Sequence, residues 1–357
     1  VSIDKEIWMI SEDKHSGTTQ EDHVWVKDIQ EDAHVRGLYA AKTKRLALTK
    51  KGDPFLSITL SDRTGDMESR VWDNAEALSS LFSEGDILEI QGRASSYRNQ
   101  IQLTLTDLKV VNNGVDSSLF LETTSYDIKE MMRSLREILK EIKDLHLKKL
   151  IETFLSDRAF MEQFKSAPAA KNFHHGYMGG LLEHTLSVCR LTKSVSNHYP
   201  QLDKDLLMAG AFLHDIGKIK EFKIHTLIEY TDEGRLLGHL VLGAAMLDEK
   251  IDHMKSFPKD MALRLKHLIL SHHGQYDFGS PKRPKFLEAF VLHFIDDLDA
   301  KVNGLGRFIE RDTQEGVWTD FNRMFERYML KGRIPEVEEE TFSPSNMDDR
   351  QELLFKP

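Results

Sequence analysis

The stretch AFLHDIGKIKEF, residues 211–222, ends an apolar run on His214-Asp215 and follows at once with Gly217 and Lys218. An imidazole beside a carboxylate is a donor pair for a divalent metal, but the dipeptide is common by chance, so its meaning rests on partners elsewhere. GYMGGLLEHTLSVCRLTKSV puts His184 on one helical face with Leu181, Val188, Leu191 and Val195. GHLVLGAAML aligns His239 with Leu242 and Met246, and MALRLKHLILSHHG aligns His272 with Met261, Leu265 and Leu268, His273 standing at the end. FLEAFVLHFIDDLDAK sets Asp296 on the stripe of Ala289 and Leu292. Taken singly, His184 reads as a satisfied core histidine. Taken together, five helices each turn one or two ionisable groups toward an apolar interior, at a cost on the order of several kcal/mol apiece if unpartnered. A shared divalent cation relieves that cost, because neutral imidazole and carboxylate are its natural ligands. Asp299, one turn beyond Asp296, is placed to support the ligands from behind, whereas Asp297, His267 and His293 fall off the stripe.

These residues need elements to hold them. The 357 residues are enough for two domains, and 40% apolar with 30% charged describes a globular protein with a real core. No apolar run approaches the roughly 18 residues of a membrane span, and the start VSIDKEIWMISEDKH lacks a signal-peptide pattern, so a cytoplasmic protein without a membrane partner is expected. The single Cys189 excludes an internal disulfide and a cysteine-based zinc cluster. The expected architecture is a two-domain α+β chain, an all-β barrel followed by an all-α helical bundle. Residues 1–33 read as a polar extension, 34–111 as the barrel, 112–125 as a linker, 126–331 as helical and 332–357 as an acidic tail. Within 316–331, Trp318, Phe321, Phe325 and Tyr328 fall on one helical stripe.

The barrel follows from alternation. PFLSITLSD sends Leu56, Ile58 and Leu60 to one face and Phe55, Ser57 and Thr59 to the other, and MESRVWD sends Met67 and Val71 inward with Arg70 and Trp72 outward. Five strands with a short helix between the third and fourth is the order of an OB-fold. Phe55, Arg70, Trp72, Tyr97 and Arg98 are thus candidates for contact with single-stranded nucleic acid, since stacking aromatics among cations are what such a surface requires. The net charge of −10 is a whole-molecule average, and residues 35–52 hold Arg36, Lys42, Lys44, Arg45, Lys50 and Lys51 with no acid.

The order His184, His214-Asp215, Asp296 resembles the signature of HD-domain metal-dependent phosphohydrolases, and His239 with His272-His273 resembles its two-metal branch. That resemblance implies one cation on His184, His214, Asp215 and Asp296, and a second on His239, His272 and His273, with Asp215 bridging. It also implies that Lys218 contacts the scissile phosphate. The tandem of PFLSITLSDRTGDMESRVWD with NFHHGYMGGLLEHTLSV, LHDIGK, GHLVLG, SHHGQYDFGSPKRP and EAFVLHFIDDLDAK is similar to the YhaM family of bacterial 3′–5′ exoribonucleases over roughly residues 34–310. Cyclic-di-GMP phosphodiesterases carry Glu after the paired histidines and then Gly-Tyr-Pro. This chain has Gly274 there and no such motif.

The expected reaction is metal-assisted hydrolysis of a phosphodiester in single-stranded RNA or DNA from the 3′ end, releasing nucleoside 5′-monophosphates. Lys218 would offset charge on the phosphate. His174, His175, Lys282 and Arg283 are candidates to hold the terminal nucleotide. Two divalent ions are implied, manganese placed ahead of iron, nickel, zinc and magnesium, although imidazole and carboxylate suit several of these alike. A homo-oligomer would suit a trimming enzyme. Two readings from other classes stay open: a small-nucleotide phosphohydrolase, and a non-catalytic nucleic-acid adaptor with a structural metal.

Overall fold

Alternating strands and helices capped by Asp account for most of the architecture. The computed structural model describes residues 23–334, apart from 98–99, 112–114, 117–118 and 172. Arg98, most of the expected linker glycine stretch and the acidic tail beyond 334 therefore lie outside the described residues, as do residues 1–22 of the expected extension. The chain divides into two compact units, the first ending at Asn303 and the second starting at Gly304.

In the first unit, β1 (His34–Leu48), β2 (Pro54–Asp62), β3 (Gly65–Val71), β4 (Ile87–Tyr97) and β5 (Gln100–Val111) close a barrel in the order β1-β2-β3-β5-β4. The β3–β5 pairing is parallel and the rest are antiparallel, with α1 (Ala75–Ser79) set between β3 and β4. Closure removes the exposed sheet edges that would otherwise pair with other chains. Leu56, Ile58, Leu60, Leu88 and Ile90 are fully buried, as the alternation predicts. The stretch expected to be a polar extension contributes to this core. Val26 and Ile29 pack into the barrel, and buried Asp62 accepts hydrogen bonds from Val26 N at 2.7 Å and pairs with His23 at 3.2 Å. Val and Ile among charged neighbours carry no period, so composition alone hides their role.

A helical array follows: α2 (Ile128–Leu139), α3 (Leu145–Ser156), α4 (Arg158–Ser166), α5 (Gly180–His198), α6 (Lys204–Leu213), α7 (Lys218–Glu221), α8 (Asp232–Asp252), α9 (Lys259–Ser271) and α10 (Leu287–Arg311), with a small hairpin of β6 (Phe222–Ile224) and β7 (Ile228–Tyr230) after α7. Asp127, Asp144, Asp157 and Asp203 each accept a backbone N–H at a helix start, worth about 1 kcal/mol apiece. One core joins Leu135, Leu150, Phe154, Phe164, Leu181, Phe212, Leu268 and Leu292. Barrel and helices meet where Leu38 and Ala40 of β1 pack with Leu119, Phe120 and Leu227. Nearby, the Thr226 hydroxyl donates to the Gly85 carbonyl.

The second unit corrects one expectation. Residues 316–331 form no helix: Trp318 pairs with Leu330 and Asn322 with Arg327 in antiparallel bridges, Thr319 N donates to Met329 O at 2.9 Å, and Lys331 N donates to Val317 O at 2.7 Å. The turn is closed by Asn322, whose Oδ1 accepts from Met324 N and Phe325 N. β-branched and aromatic residues favour extended pairing, and Asn offers the chain a local turn, which outweighs an aromatic spacing that also fits a helix.

Candidate metal centre and nucleic-acid face

α5, α6, α8, α9 and α10 deliver the expected side chains to one place. His184 and His214 are fully buried, with Nε2 atoms 3.1 Å apart, and Asp296 Oδ1 lies 3.1 Å from His184 Nε2 and 3.7 Å from His214 Nε2. Asp215 stands between two groups. Its Oδ2 is 3.5 and 3.4 Å from Nε2 of His184 and His214, while its Oδ1 is 3.5 Å from Nε2 of both His239 and His272. His273 Nε2 completes the second group, 3.3 Å from His239 Nε2.

The outward-facing ring nitrogens decide what these atoms are. Nδ1 of His214, His272 and His273 lies 2.9, 2.8 and 2.9 Å from the carbonyls of Ala211, Ile269 and Phe278. Nδ1 of His184 meets Asp299 at 2.7 Å and Nδ1 of His239 meets Glu221 at 3.0 Å. Carbonyls and carboxylates only accept, so each Nδ1 carries a hydrogen, and each ring in its neutral form turns an Nε2 lone pair inward. Five Nε2 atoms and two carboxylates thus face one another. Both Asp215 oxygens are buried with no hydrogen-bond partner, the 2.6 Å ion pair from Lys218 Nζ to Oδ2 lying outside hydrogen-bond geometry. Donors arranged this way fit divalent cations, with the ligand hydrogens held by the shell behind them.

Electrostatics agree. Burial opposes ionisation of Asp215, yet the charge of Lys218, with the His214 ring beside it, holds its carboxyl well below the usual range. Burial likewise disfavours a charged His184, but Asp296 and Asp299 outweigh it and raise the ring to about 9. Burial, with His272 and His239 adding to it, pushes His273 down to about 3. Positive charge is drawn to the His184 position and excluded from the His273 ring.

Local backbone explains the fit. Gly217 has its Cα against the His239 carbonyl, where an added Cβ would stand 2.0 Å from that oxygen. Gly238, at φ +72°, breaks α8 so that a fresh helical segment opens on His239. Glu221 then accepts from both the backbone N and the ring of His239, each at 3.0 Å.

On the barrel, Phe55 and Trp72 lie 5.1 Å apart, and the Arg70 guanidinium sits 5.4 Å from the Phe55 ring and 5.7 Å from each of Trp72 and Tyr97. The register places Arg45 and Arg70 on either side of Ser57, so all three project to the same outer face. Other members of the basic run are used locally. Arg36 pairs with Glu89, Lys42 with Asp66, and Lys44 donates to the carbonyls of Ser79 and Phe82.

Comparison with known proteins adds the next fact. Residues 181–301 match the HD domain and residues 24–111 match the OB-fold nucleic acid binding domain. The 3′–5′ exoribonuclease YhaM of Bacillus subtilis (strain 168) is 36% identical over 281 residues, covering 78% of this chain and 88% of that protein. The chain belongs to the YhaM family. A YhaM from Geobacillus sp. (strain WCH70) is 33% identical over 304 residues, covering 84% of this chain and 92% of its own.

Set in the YhaM frame, the remaining expected site residues separate. His174 faces the centre: its ring lies 5.6 Å from that of His184, and its buried Nδ1 has no partner. His175 uses both ring nitrogens within the protein. It is buried, with Nδ1 3.0 Å from the Tyr177 hydroxyl and Nε2 3.0 Å from Asp299, so both ring nitrogens serve the shell behind His184. Asp299 also accepts from the Ser187 hydroxyl, which makes it the joint anchor of two imidazoles. Lys282 and Arg283 are exposed in the loop before α10. Glu221 escapes a sequence reading. It closes α7, and only the packing of α7 on α8 brings it to His239.

Proposed function

We propose that this chain is a metal-dependent 3′–5′ exonuclease of single-stranded RNA, releasing nucleoside 5′-monophosphates, and that it works in the cytoplasm. The convergence of four Nε2 atoms, those of His184, His214, His239 and His272, on the two oxygens of Asp215, neither of which has a hydrogen-bond partner, carries the reading, with Asp296 and His273 completing the two groups. The activity for which the Bacillus subtilis relative is named, 3′–5′ exoribonuclease, supports the direction and substrate.

His184, His214, Asp215 and Asp296 would hold one cation, and His239, His272, His273 and Asp215 the other. When bound, divalent ions of this kind supply Lewis acidity toward the phosphate and activate water. An all-nitrogen and oxygen donor set without thiolate accommodates manganese, which we place first. Lys218, buried beside Asp215, is positioned to offset charge gathering on the phosphate oxygens, as a point charge. His174 offers its unpartnered nitrogen to the substrate, and Lys282 and Arg283 offer charge near the terminal phosphate. Phe55, Trp72 and Tyr97 around Arg70, with Arg45 beside them, give upstream bases surfaces to stack on and phosphates a counter-charge.

The direct test is a 5′-labelled single-stranded RNA incubated with Mn²⁺, with and without EDTA. A ladder shortening one nucleotide at a time from the 3′ end, abolished by EDTA, is expected. An intact strand that still shifts on a native gel would instead support a binding adaptor, and an intact unbound strand would point to small nucleotides.

A further inference from the structure

The loop between α9 and α10 carries more than the metal centre needs. Its backbone is pinned. Gly274 N donates to Ser271 O at 2.8 Å, Gly279 N to Tyr276 O at 2.9 Å and Ser280 N to Gln275 O at 3.2 Å, and the buried Ser280 hydroxyl reaches the carbonyls of Leu270 and Lys282 at 3.0 and 2.7 Å. Past His272 and His273, the loop's contribution to the centre is one backbone atom, the Phe278 carbonyl that holds His273 Nδ1. Any residue could supply that oxygen. Yet Tyr276 and Phe278 place large aromatic rings on this held backbone with 62% and 61% of their surface exposed. A solvent loop gains nothing from two such rings, and a fixed aromatic face beside a phosphate-handling centre is a stacking surface.

We propose that Tyr276 and Phe278 form the subsite for the 3′-terminal nucleobase, the base that leaves with the monophosphate. This rests on the exonuclease reading above. The scissile phosphate must lie at the converging Nε2 atoms, and the terminal base then sits one sugar away. The Phe278 carbonyl meets His273 Nδ1 at 2.9 Å, so residue 278 directly adjoins a ring of the centre. An aromatic face contacts the flat of a base and not its hydrogen-bonding edge, so it accepts all four bases, as an enzyme that shortens a strand of mixed sequence must. The exposed Lys282 and Arg283 that follow in the same loop add charge beside it.

The experiment uses the full chain with Mn²⁺ and two 5′-labelled RNAs alike except at the 3′ terminus, one ending in an ordinary nucleotide and the other in an abasic ribose. Wild type is expected to remove the ordinary terminus about tenfold faster, equivalent to about 1.4 kcal/mol. The Tyr276→Ala/Phe278→Ala protein should fall to the abasic rate on the ordinary strand and lose nothing further on the abasic one. Its manganese content after dialysis should match wild type, because the carbonyl of residue 278 remains. The milder Phe278→Leu change should lie between. Equal rates of wild type on the two termini overturn the proposal without calling on any variant. So does equal slowing of the variant on both strands, or loss of its metal, since either would mean that the loop acts only through His273. If the ordinary strand is not shortened at all, the exonuclease reading itself fails and the subsite with it.

Discussion

Replacing Asp299 separates the shell behind the metal centre from the centre itself. Asp299 Oδ2 accepts from His184 Nδ1 at 2.7 Å and from His175 Nε2 at 3.0 Å, and Oδ1 accepts from Ser187. Burial opposes its charge, yet the hydrogen bonds from His175 and His184 hold the carboxyl far below the usual carboxylate range. Asp299→Asn keeps an oxygen for both imidazoles, and its amide can donate to the Ser187 hydroxyl, so only the charge is lost. Asp299→Ala removes the acceptor and leaves two buried imidazole N–H groups unsatisfied, at about 1–3 kcal/mol each. Outer-shell changes cost 10- to 100-fold in metal affinity as a rule, so we expect about tenfold weaker binding for Asn and about a hundredfold for Ala, or about 1.4 and 2.7 kcal/mol. The assay is calorimetric titration of Mn²⁺ into EDTA-stripped, dialysed protein, with thermal melting to follow the fold. Asp299 touches His184 and no ligand of the second group, so of two resolved affinities one should fall and the other should change little. An Ala protein that folds and binds both ions as wild type does would refute the positioning role. Equal weakening of both sites would refute the assignment of Asp299 to one half.

Other expectations follow from the same geometry. Lys218→Gln should cut kcat about 10²–10³-fold while manganese content holds or rises, since a competing cation is removed from Asp215; unchanged kcat would dismiss its charge-offsetting role. Trp72→Ala should weaken binding of a long single strand about tenfold and leave hydrolysis of a dinucleotide alone, measured by fluorescence anisotropy and single-turnover cleavage. Equal loss on both substrates would remove the stacking role. With His184 at about 9, its ring is protonated below that pH and the metal must displace the Nε2 proton. Affinity for manganese should therefore climb about tenfold per pH unit up to about 9 and then level, with about one proton released at pH 8 from this ring. Calorimetry in buffers of different ionisation enthalpy checks this, and zero release would contradict it.

Much of the centre was legible before any fold was known, because each ligand helix is amphipathic and its ionisable residue lies on the apolar stripe. His184, His239, His272 and Asp296 are placed by spacing alone, and even Asp299 follows from Asp296 by one turn. What spacing cannot supply is contact between elements. Glu221 reaches His239 only because Gly217 lets α7 and α8 touch, and the His175 ring is engaged by Asp299 from α10. The barrel was legible through strict alternation, but Val26 and Ile29 enter its core from a stretch with no period. Residues 316–331 went astray because their aromatic spacing fits a helix, while Asn322 and the β-branched neighbours decide for a hairpin.

Each group of the centre combines sealed and wetted residues: His184, His214 and His272 are closed off in the helical core, while the side chains of Asp296 and His239 keep 14% and 12% of their surface open. If the groups hold ions as we propose, each ion would have one ligand at the solvent boundary. A chelator should then strip the protein without the helical core having to open, so that metal exchange and global unfolding are separate events.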